Sequence, residues 1–252
     1  MKSDVKKEFT TTITHESIKN QIDSNIKDGL SAFNEYIWNS VDAKSKEIKI
    51  NLELSKDVNE DLFSKAEIID FGTGIDFEKF TNKKFLIFNN SEKQKKRHLS
   101  LPHGHRGFGR FSFIKFCKII KWESTFKDKS GKLRSYEISL NGSNLLENTT
   151  KDIETKNKFT GTRVIFSNFL SPNDLISNSK IDELIENIKS EFAWVIELLN
   201  LDFKINNKNL DYSNLFKSTP IKYKKSINSQ EFEIKIIFWN KRLSNYDSRY
   251  HL

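Results

Sequence analysis

Apolar residues recur at helical spacing near the start of the chain and alternate with polar residues further along it. The first pattern predicts helices over 15–24 and 29–43, because an α-helix returns to the same side about every 3.6 residues. Alternation over 46–54 predicts a half-buried strand whose isoleucines and leucines share one face. A short apolar strand within 66–76 ends in a glycine-rich turn.

The later segments lack the regular strand–helix alternation of a parallel sheet, which favours the α+β class. The sequence KDKSG between two strand-like segments predicts a hairpin. The remaining pattern predicts a helix over 77–88, strands over 117–126, 132–140, 161–169 and 201–210, a helix within 171–200 capped near Ser171 or Asn173, and one or two strands within 219–240.

The helix predicted over 29–43 has an unusual polar side. Glu35, Asn39 and Asp42 fall within an arc of about 60° on a helix that turns about 100° per residue. The opposite side is apolar and suits packing on a core, through Leu30, Phe33, Ile37 and Val41. Two carboxylates and an amide without Lys or Arg among them indicate a binding face, whereas a solvated polar face is the plain alternative.

Composition limits the classes of protein that fit this chain of 252 residues. A net charge of +8 is compatible with a polyanionic partner such as nucleic acid or a nucleotide. Cys117 is the single cysteine, which excludes an intrachain disulfide and a cysteine-based zinc site. The chain has no apolar run long enough to cross a membrane and no secretory signal. We therefore expect a cytoplasmic protein that does not enter a membrane.

The stretch IIDFGTGID places Asp70 at a strand end, before Gly72 and Gly74. Glycines at these positions allow a bent backbone that lies close to a flat ligand. The carboxylate can accept a hydrogen bond from an exocyclic amine. Taken alone, the same pattern is common at ordinary strand–turn junctions.

The stretch HGHRGFGRFSF, residues 103–113, contains Gly104, Gly107 and Gly109 in the order G-x-x-G-x-G. Glycines at the start of a helix expose backbone N–H groups to phosphate. The order is the reverse of the dinucleotide-binding fingerprint, and no G-x-x-x-x-G-K-[ST] sequence or kinase catalytic loop is present. The alternative is a flexible loop without a ligand.

Four motifs in one order resemble the GHKL ATPases, the superfamily of gyrase, Hsp90, histidine kinases and MutL. The motifs are E35-Y-I-W-N39-S-V-D42-A43, D70-F-G72-T-G74, G104-H-R-G107-F-G109 and G161-T162. Their arrangement is most similar to the branch that holds Hsp90, MutL and the MORC proteins.

The resemblance implies a role for each matching residue. Glu35 would be the general base for hydrolysis, and Asn39 would bind the Mg²⁺ that bridges the triphosphate. Asp70 would accept the adenine amino group, with Thr162 beside it. The other ATP-binding positions implied are Asp42, Gly72, Gly74, Gly104, Gly107 and Gly109, and residues 89–106 would form a lid over the phosphates.

The resemblance also implies the architecture. Residues 1–206 would form a two-layer α/β sandwich of the Bergerat type that binds ATP between sheet and helices. Residues 207–252 would begin a second, transducer-like α/β domain, which we expect to be truncated in this sequence.

The function implied is Mg²⁺-dependent ATP hydrolysis that drives a conformational and dimerisation switch. Partners would be ATP and a second copy of the chain, with nucleic acid as a further candidate because of the basic charge. A bacterial DNA transaction or anti-phage defence would suit this combination. A histidine-kinase-like phosphotransferase and a non-hydrolysing ATP-binding module are the alternatives.

Overall fold

The computed structural model describes residues 14–54, 63–76, 109–170, 181–228 and 230–240. Within them lie three α-helices: α1 (His15–Asn25), α2 (Gly29–Asp42) and α3 (Ile181–Leu199). The strands are β1 (Glu47–Leu54), β2 (Phe63–Asp70), β3 (Cys117–Lys127), β4 (Leu133–Asn141), β5 (Asn144–Ile153), β6 (Gly161–Phe169), β7 (Asp202–Ile205), β8 (Lys208–Asn209), β9 (Ile221–Ile227) and β10 (Gln230–Ile236). Short 3-10 helices occupy Gly109–Lys115 and Ser213–Leu215.

The helices begin where the sequence supplies caps. Thr14 and Ser17 form a capping box at the start of α1. The Asp28 carboxylate accepts a 2.8 Å hydrogen bond from the Ser31 N–H at the start of α2. These caps explain why the bounds predicted for the first two helices are confirmed to within a residue.

The first eight strands form one sheet in the order β5-β4-β3-β6-β2-β1-β7-β8. Neighbours are antiparallel except β1 and β7, which are parallel. The register places Ile48 of β1 opposite Asp70 of β2, and Asp70 opposite Thr162 of β6. The last residue of β2 and the start of β6 therefore lie side by side in the middle of the sheet.

One face of the sheet packs against the helices and forms the core. Alternate residues of the strands point into it, including Ile50, Ile68 and Phe166, which are fully buried. The helices contribute Phe33, Ile37, Ile188 and Phe192 to the same cluster. The opposite face carries ion pairs, such as Arg163 with Glu67. This two-layer arrangement of mixed sheet and helices confirms the predicted α+β class.

The helix α2 is buried on more sides than its sequence pattern predicts. Its apolar stripe packs on the core as expected, and Tyr36, Trp38 and Ser40 are buried as well. The Trp38 indole N–H donates to a Glu191 carboxylate oxygen of α3 at 3.3 Å. The polar side with Glu35 and Asn39 is thus a narrow accessible strip on a largely enclosed helix.

Strands β9 and β10 form a separate antiparallel hairpin after the large sheet. Its residues are mostly exposed, and the Lys235 ammonium contacts the Glu197 carboxylate at the end of α3. The division of the chain at 206/207 and the transducer-like identity of the last segment stay predictions. No helix in the described part of the chain is long and apolar enough to cross a membrane.

Candidate functional site

The second half of α2 presents the first motif. Glu35 and Asp42 are half-buried and Asn39 is exposed, so all three side chains are accessible to some degree. The helix is fixed from beneath by Phe33 and Ile37, which are fully buried. Because this packing fixes the helix, the positions of Glu35, Asn39 and Asp42 relative to the sheet are fixed as well.

The turn after β2 is joined to the end of the same helix. The Thr73 N–H donates to the Ala43 carbonyl at 3.1 Å, and the Phe71 N–H donates to the Ser45 hydroxyl at 2.9 Å. A Cβ on Gly72 would lie 2.4 Å from the Ala43 carbonyl oxygen, so this close approach requires glycine. The first and second motifs are therefore parts of one unit.

Asp70 is the last residue of β2, directly before this turn, and 6% of its surface is exposed. Burial raises the pKa of its carboxyl from 3.8 to about 6, because water no longer solvates the charged form. The Gly72 N–H donates to the carboxyl at 2.9 Å, and interactions with the Thr162 backbone and the Ser40 side chain also limit the rise. The group is ionised at neutral pH and accepts hydrogen bonds.

Thr162 lies directly opposite Asp70 on β6 and is also buried. Its hydroxyl is 3.3 Å from the hydroxyl of Ser124 on β3. The Ser124 hydroxyl accepts a 2.8 Å hydrogen bond from the Ile75 N–H, at the far end of the glycine-rich turn. A chain of polar contacts thus joins β6, β3 and the turn beside Asp70.

The second glycine of the turn is constrained by β3. Gly74 has φ +70°, in the left-handed region, and a Cβ there would lie 2.1 Å from the Thr125 carbonyl oxygen. The Tyr136 hydroxyl donates to the Ile75 carbonyl at 2.8 Å, and the Thr160 hydroxyl donates to the Gly72 carbonyl at 2.6 Å. Packing against the backbone thus explains why both positions are glycine, and their contact with a ligand stays a prediction.

Gly109 brings the third motif to the first. A Cβ on Gly109 would lie 2.9 Å from Oε2 of Glu35, so the carboxylate of Glu35 rests against this glycine. The neighbouring Arg110 guanidinium lies 4.7 Å above the Phe111 ring. Burial lowers the pKa of Arg110 to about 10, which leaves it charged at neutral pH.

The structure thus brings Glu35 to Gly109, and Asp70 to Thr162 and Gly72, with α2 connecting the two groups. Gly104, Gly107 and the predicted lid 89–106 lie outside the described residues, as do the helix 77–88 and the cap residues Ser171 and Asn173. Among the residues that are described, no group of three or more His, Cys, Asp or Glu side chains could hold a metal ion.

Sequence reasoning missed several polar residues that support the site. Ser40 lies inside the first motif, and its effect on the pKa of Asp70 depends on how the helix packs. Tyr36 also lies inside the first motif, but its hydroxyl contacts residues 110–113, which are far away in the chain. Ser124 and Tyr136 belong to no motif, and their partners are equally distant. A polar residue at an apolar position of a predicted strand or helix was the one signal available, as for Ser124 in β3.

The comparisons with known proteins agree with this geometry. The family model described as "Histidine kinase-, DNA gyrase B-, and HSP90-like ATPase" matches residues 30–163. No curated protein matches the chain.

Solved structures of topoisomerase II share the fold. The ATPase region of topoisomerase II from Saccharomyces cerevisiae aligns with a TM-score of 0.55 at 15% identity, over 89% of this chain and 70% of that one. The ATPase and transducer domains of DNA topoisomerase II from Balamuthia mandrillaris align with a TM-score of 0.51 at 17% identity, over 71% of this chain. The alignment spans 47% of the length of the B. mandrillaris chain.

Proposed function

The chain belongs to the family of histidine kinase-, DNA gyrase B- and HSP90-like ATPases, and we propose that it binds ATP with Mg²⁺ and hydrolyses it. The observation that carries this proposal is that one helix, α2, contacts both parts of the site. Its Glu35 rests on Gly109, and its last residues hold the turn after Asp70. The helix α2 thus positions both the Glu35 carboxylate, which we assign to activating water, and the turn beside the Asp70 carboxylate, which we assign to binding the base.

Asp70, Gly72, Gly74 and Thr162 form what we call the adenine half of the site. The ionised Asp70 carboxylate accepts an N–H bond from the exocyclic amine of adenine. Since the carboxylate is buried, its competing hydrogen bond to water is weak, and a ligand without this amine leaves one acceptor position of the carboxylate without a donor. The Thr162 hydroxyl, held near Ser124, supplies a second polar contact to the base.

Glu35, Asn39 and Gly109 form the phosphate half. The Glu35 carboxylate accepts a proton from the water that attacks the γ-phosphate, which is general-base catalysis. Asn39 is exposed one helical turn from Glu35, and an amide oxygen is a ligand that Mg²⁺ takes together with phosphate oxygens and waters. Bound there, Mg²⁺ would neutralise charge on the phosphates.

Three further residues complete the proposed phosphate half. Asp42 lies one turn beyond Asn39 and supports the polar strip of α2. The backbone N–H groups of Gly104 and Gly107, together with that of Gly109, would hold the β- and γ-phosphates, with 89–106 as the lid above them. These assignments rest on the motifs, since 104 and 107 lie outside the described residues.

Hydrolysis in this site would serve a switch between two conformations. ATP would favour a closed, dimeric state through contacts to its γ-phosphate, and loss of that phosphate would release it. We place the protein in the Hsp90, MutL and MORC branch, with a transducer-like segment after 206 and a role in bacterial DNA transactions or anti-phage defence. Nucleic acid is a candidate partner because of the charge of +8.

The phosphotransferase alternative requires a histidine that accepts phosphate. His15 is the histidine that precedes α2, and its Nδ1 accepts a 3.1 Å hydrogen bond from the Leu145 N–H of β5. This contact gives His15 a structural role at the start of α1. The hydrolytic function is therefore the better supported of the two.

The test measures ATP binding and ATP turnover with Mg²⁺ for the wild type, Asp70→Asn and Glu35→Ala. We expect Asp70→Asn to lose binding, and Glu35→Ala to bind ATP normally but to lose roughly 100-fold or more in turnover, the usual contribution of a general base. Binding without turnover in the wild type would favour the non-hydrolysing module. Turnover that is unchanged in Glu35→Ala would exclude Glu35 as the base.

A further inference from the structure

A buried tyrosine connects α2 to the segment that contains Gly109. The Tyr36 hydroxyl donates to the Arg110 carbonyl at 3.0 Å and accepts from the Phe113 N–H at 3.1 Å. Tyr36 is 1% exposed, so these two hydrogen bonds are shielded from water and costly to lose. Burial raises the pKa of Tyr36 well above its usual value, which keeps the hydroxyl protonated and able to donate.

A second hydroxyl acts on the same segment. The Ser112 Oγ lies 3.1 Å from the Ala32 carbonyl oxygen of α2 and 2.7 Å from the Gly109 carbonyl oxygen. Ser112 is fully buried. The 3-10 helix Gly109–Lys115 is therefore joined to α2 at two places on either side of Glu35, through Ala32 and through Tyr36.

The position of the Glu35 carboxylate depends on this attachment. Glu35 precedes Tyr36 in α2, and its Oε2 is 2.9 Å from the point where a Cβ of Gly109 would lie. A shift of the 109–113 backbone away from α2 would open a gap beside the carboxylate, and a shift towards it would push the carboxylate aside. Tyr36 sets this distance because it holds Arg110 and Phe113 from the neighbouring position of the helix.

We propose that Tyr36 is a positioning residue for ATP hydrolysis. Its hydroxyl fixes the Gly109–Phe113 backbone against α2 and so places the Glu35 carboxylate to accept the proton of the water that attacks the γ-phosphate. This inference rests on the proposed function, because it concerns the same general base. Tyr36 itself does not touch the reacting atoms in this account. Its effect is carried by the backbone of residues 109–113.

The substitution Tyr36→Phe tests the proposal, because it removes the hydroxyl and leaves the ring. The ring packs edge-on against Phe166 with centroids 4.9 Å apart, and this contact is retained. We expect turnover at saturating ATP to fall roughly 10- to 100-fold, the size of effect that a misplaced catalytic group produces. The Kd for ATP should stay within about twofold, since the hydroxyl that is removed bonds to Arg110 and Phe113, on the side of the phosphate half.

Combining variants separates positioning from general destabilisation. In a Glu35→Gln background, Tyr36→Phe should cause no further loss of turnover, because there is no longer a general base to place. Tyr212→Phe is the matched control, as it removes a hydroxyl that lies 3.2 Å from the Glu197 carboxylate, away from the site, and should leave turnover unchanged. If Tyr36→Phe does not fold, Ser112→Ala removes the second attachment and should lower turnover with the same dependence on Glu35.

The outcomes separate the two proposals. If the wild type neither binds nor hydrolyses ATP, the proposed function fails and this inference fails with it. If the wild type hydrolyses ATP and Glu35→Gln leaves turnover unchanged, Glu35 is not the general base, and this inference fails although ATP hydrolysis stands. If turnover depends on Glu35 but neither Tyr36→Phe nor Ser112→Ala lowers it, the inference alone is overturned. Losses that multiply in the Glu35→Gln, Tyr36→Phe double variant would also overturn it, since Tyr36 would then act independently of Glu35.

Discussion

The adenine half of the site is built by strand ends and a tight turn, whereas the phosphate half is built by one side of a helix. Asp70 and Thr162 are buried, paired in register and bonded to backbone groups around them. Glu35 is half-buried and Asn39 is exposed. We therefore expect base recognition to depend on the backbone geometry of the sheet, and catalysis to depend on the side chains of one face of a helix.

Replacing glycine by alanine should reduce stability in the adenine half and reduce turnover in the phosphate half. Gly74→Ala places a Cβ 2.1 Å from the Thr125 carbonyl oxygen at φ +70°, where no flexible group can move away. We expect a loss of roughly 2 to 5 kcal/mol in the free energy of unfolding. Gly109→Ala meets only the flexible end of Glu35, so stability should change by less than about 1 kcal/mol while turnover falls about tenfold.

Chemical denaturation and steady-state turnover of the two alanine variants provide the measurement. The wild type assayed in parallel is the reference for both quantities. A stable Gly74→Ala protein, or a Gly109→Ala protein with full activity, would contradict the division between backbone-defined and side-chain-defined halves.

The pH dependence of stability should report the adenine half. The pKa of Asp70 is 3.8 in its usual environment and about 6 in the folded protein, so between these values the folded state binds the extra proton. The free energy of unfolding therefore falls as the pH rises through this window, by on the order of 3 kcal/mol from this group. Stability measured at several pH values for the wild type and Asp70→Asn isolates the contribution.

As the pH rises, the free energy of unfolding of Asp70→Asn should increase relative to that of the wild type, because the variant lacks the buried charge. Other carboxylates contribute equally to both proteins and cancel in the difference. A free-energy difference that is flat between about pH 4 and pH 6 would show that Asp70 titrates normally.

Tyr136→Phe should produce the smallest effect and should act on affinity. Its hydroxyl donates to the Ile75 carbonyl at 2.8 Å and so holds the turn of the adenine half. Loss of one such bond weakens a contact by about 1 kcal/mol, which corresponds to roughly a fivefold rise in the Kd for ATP. Calorimetric titration with ATP measures this change, and a fall in turnover without a change in Kd would contradict it.

Helices, strands and hairpins that are determined by local sequence could be predicted, whereas contacts between elements far apart in the chain could not. The helix α2, the strand before Asp70 and the β3–β4 hairpin follow from periodicity and turn residues, which are local signals. Strand β5 was not predicted because its sequence NLLENTTKDI has little apolar alternation, as suits the edge of a sheet. The sheet order and its parallel β1–β7 pair depend on long-range packing that no short window contains.

The site shows the same limit. The residue types of the first two motifs predicted a carboxylate beside an amide and a carboxylate at a strand end, and the structure has both. The approach of Glu35 to Gly109 brings together residues far apart in the chain, and the hydroxyls of Tyr36 and Ser124 act on backbone groups that are equally distant. Their roles became visible only through their hydrogen bonds.

The parallel pair of β1 and β7 has a consequence for synthesis of the protein. Glu47 of β1 pairs with Asp202 of β7, so β1 is synthesised long before the strand that pairs with it. While the ribosome makes the intervening chain, the β1 edge has unpaired N–H and C=O groups that could associate with other chains. Expression fragments that end before Ile205 should therefore aggregate, whereas fragments that include β7 should close the edge and fold slowly, as sheets with distant partners do.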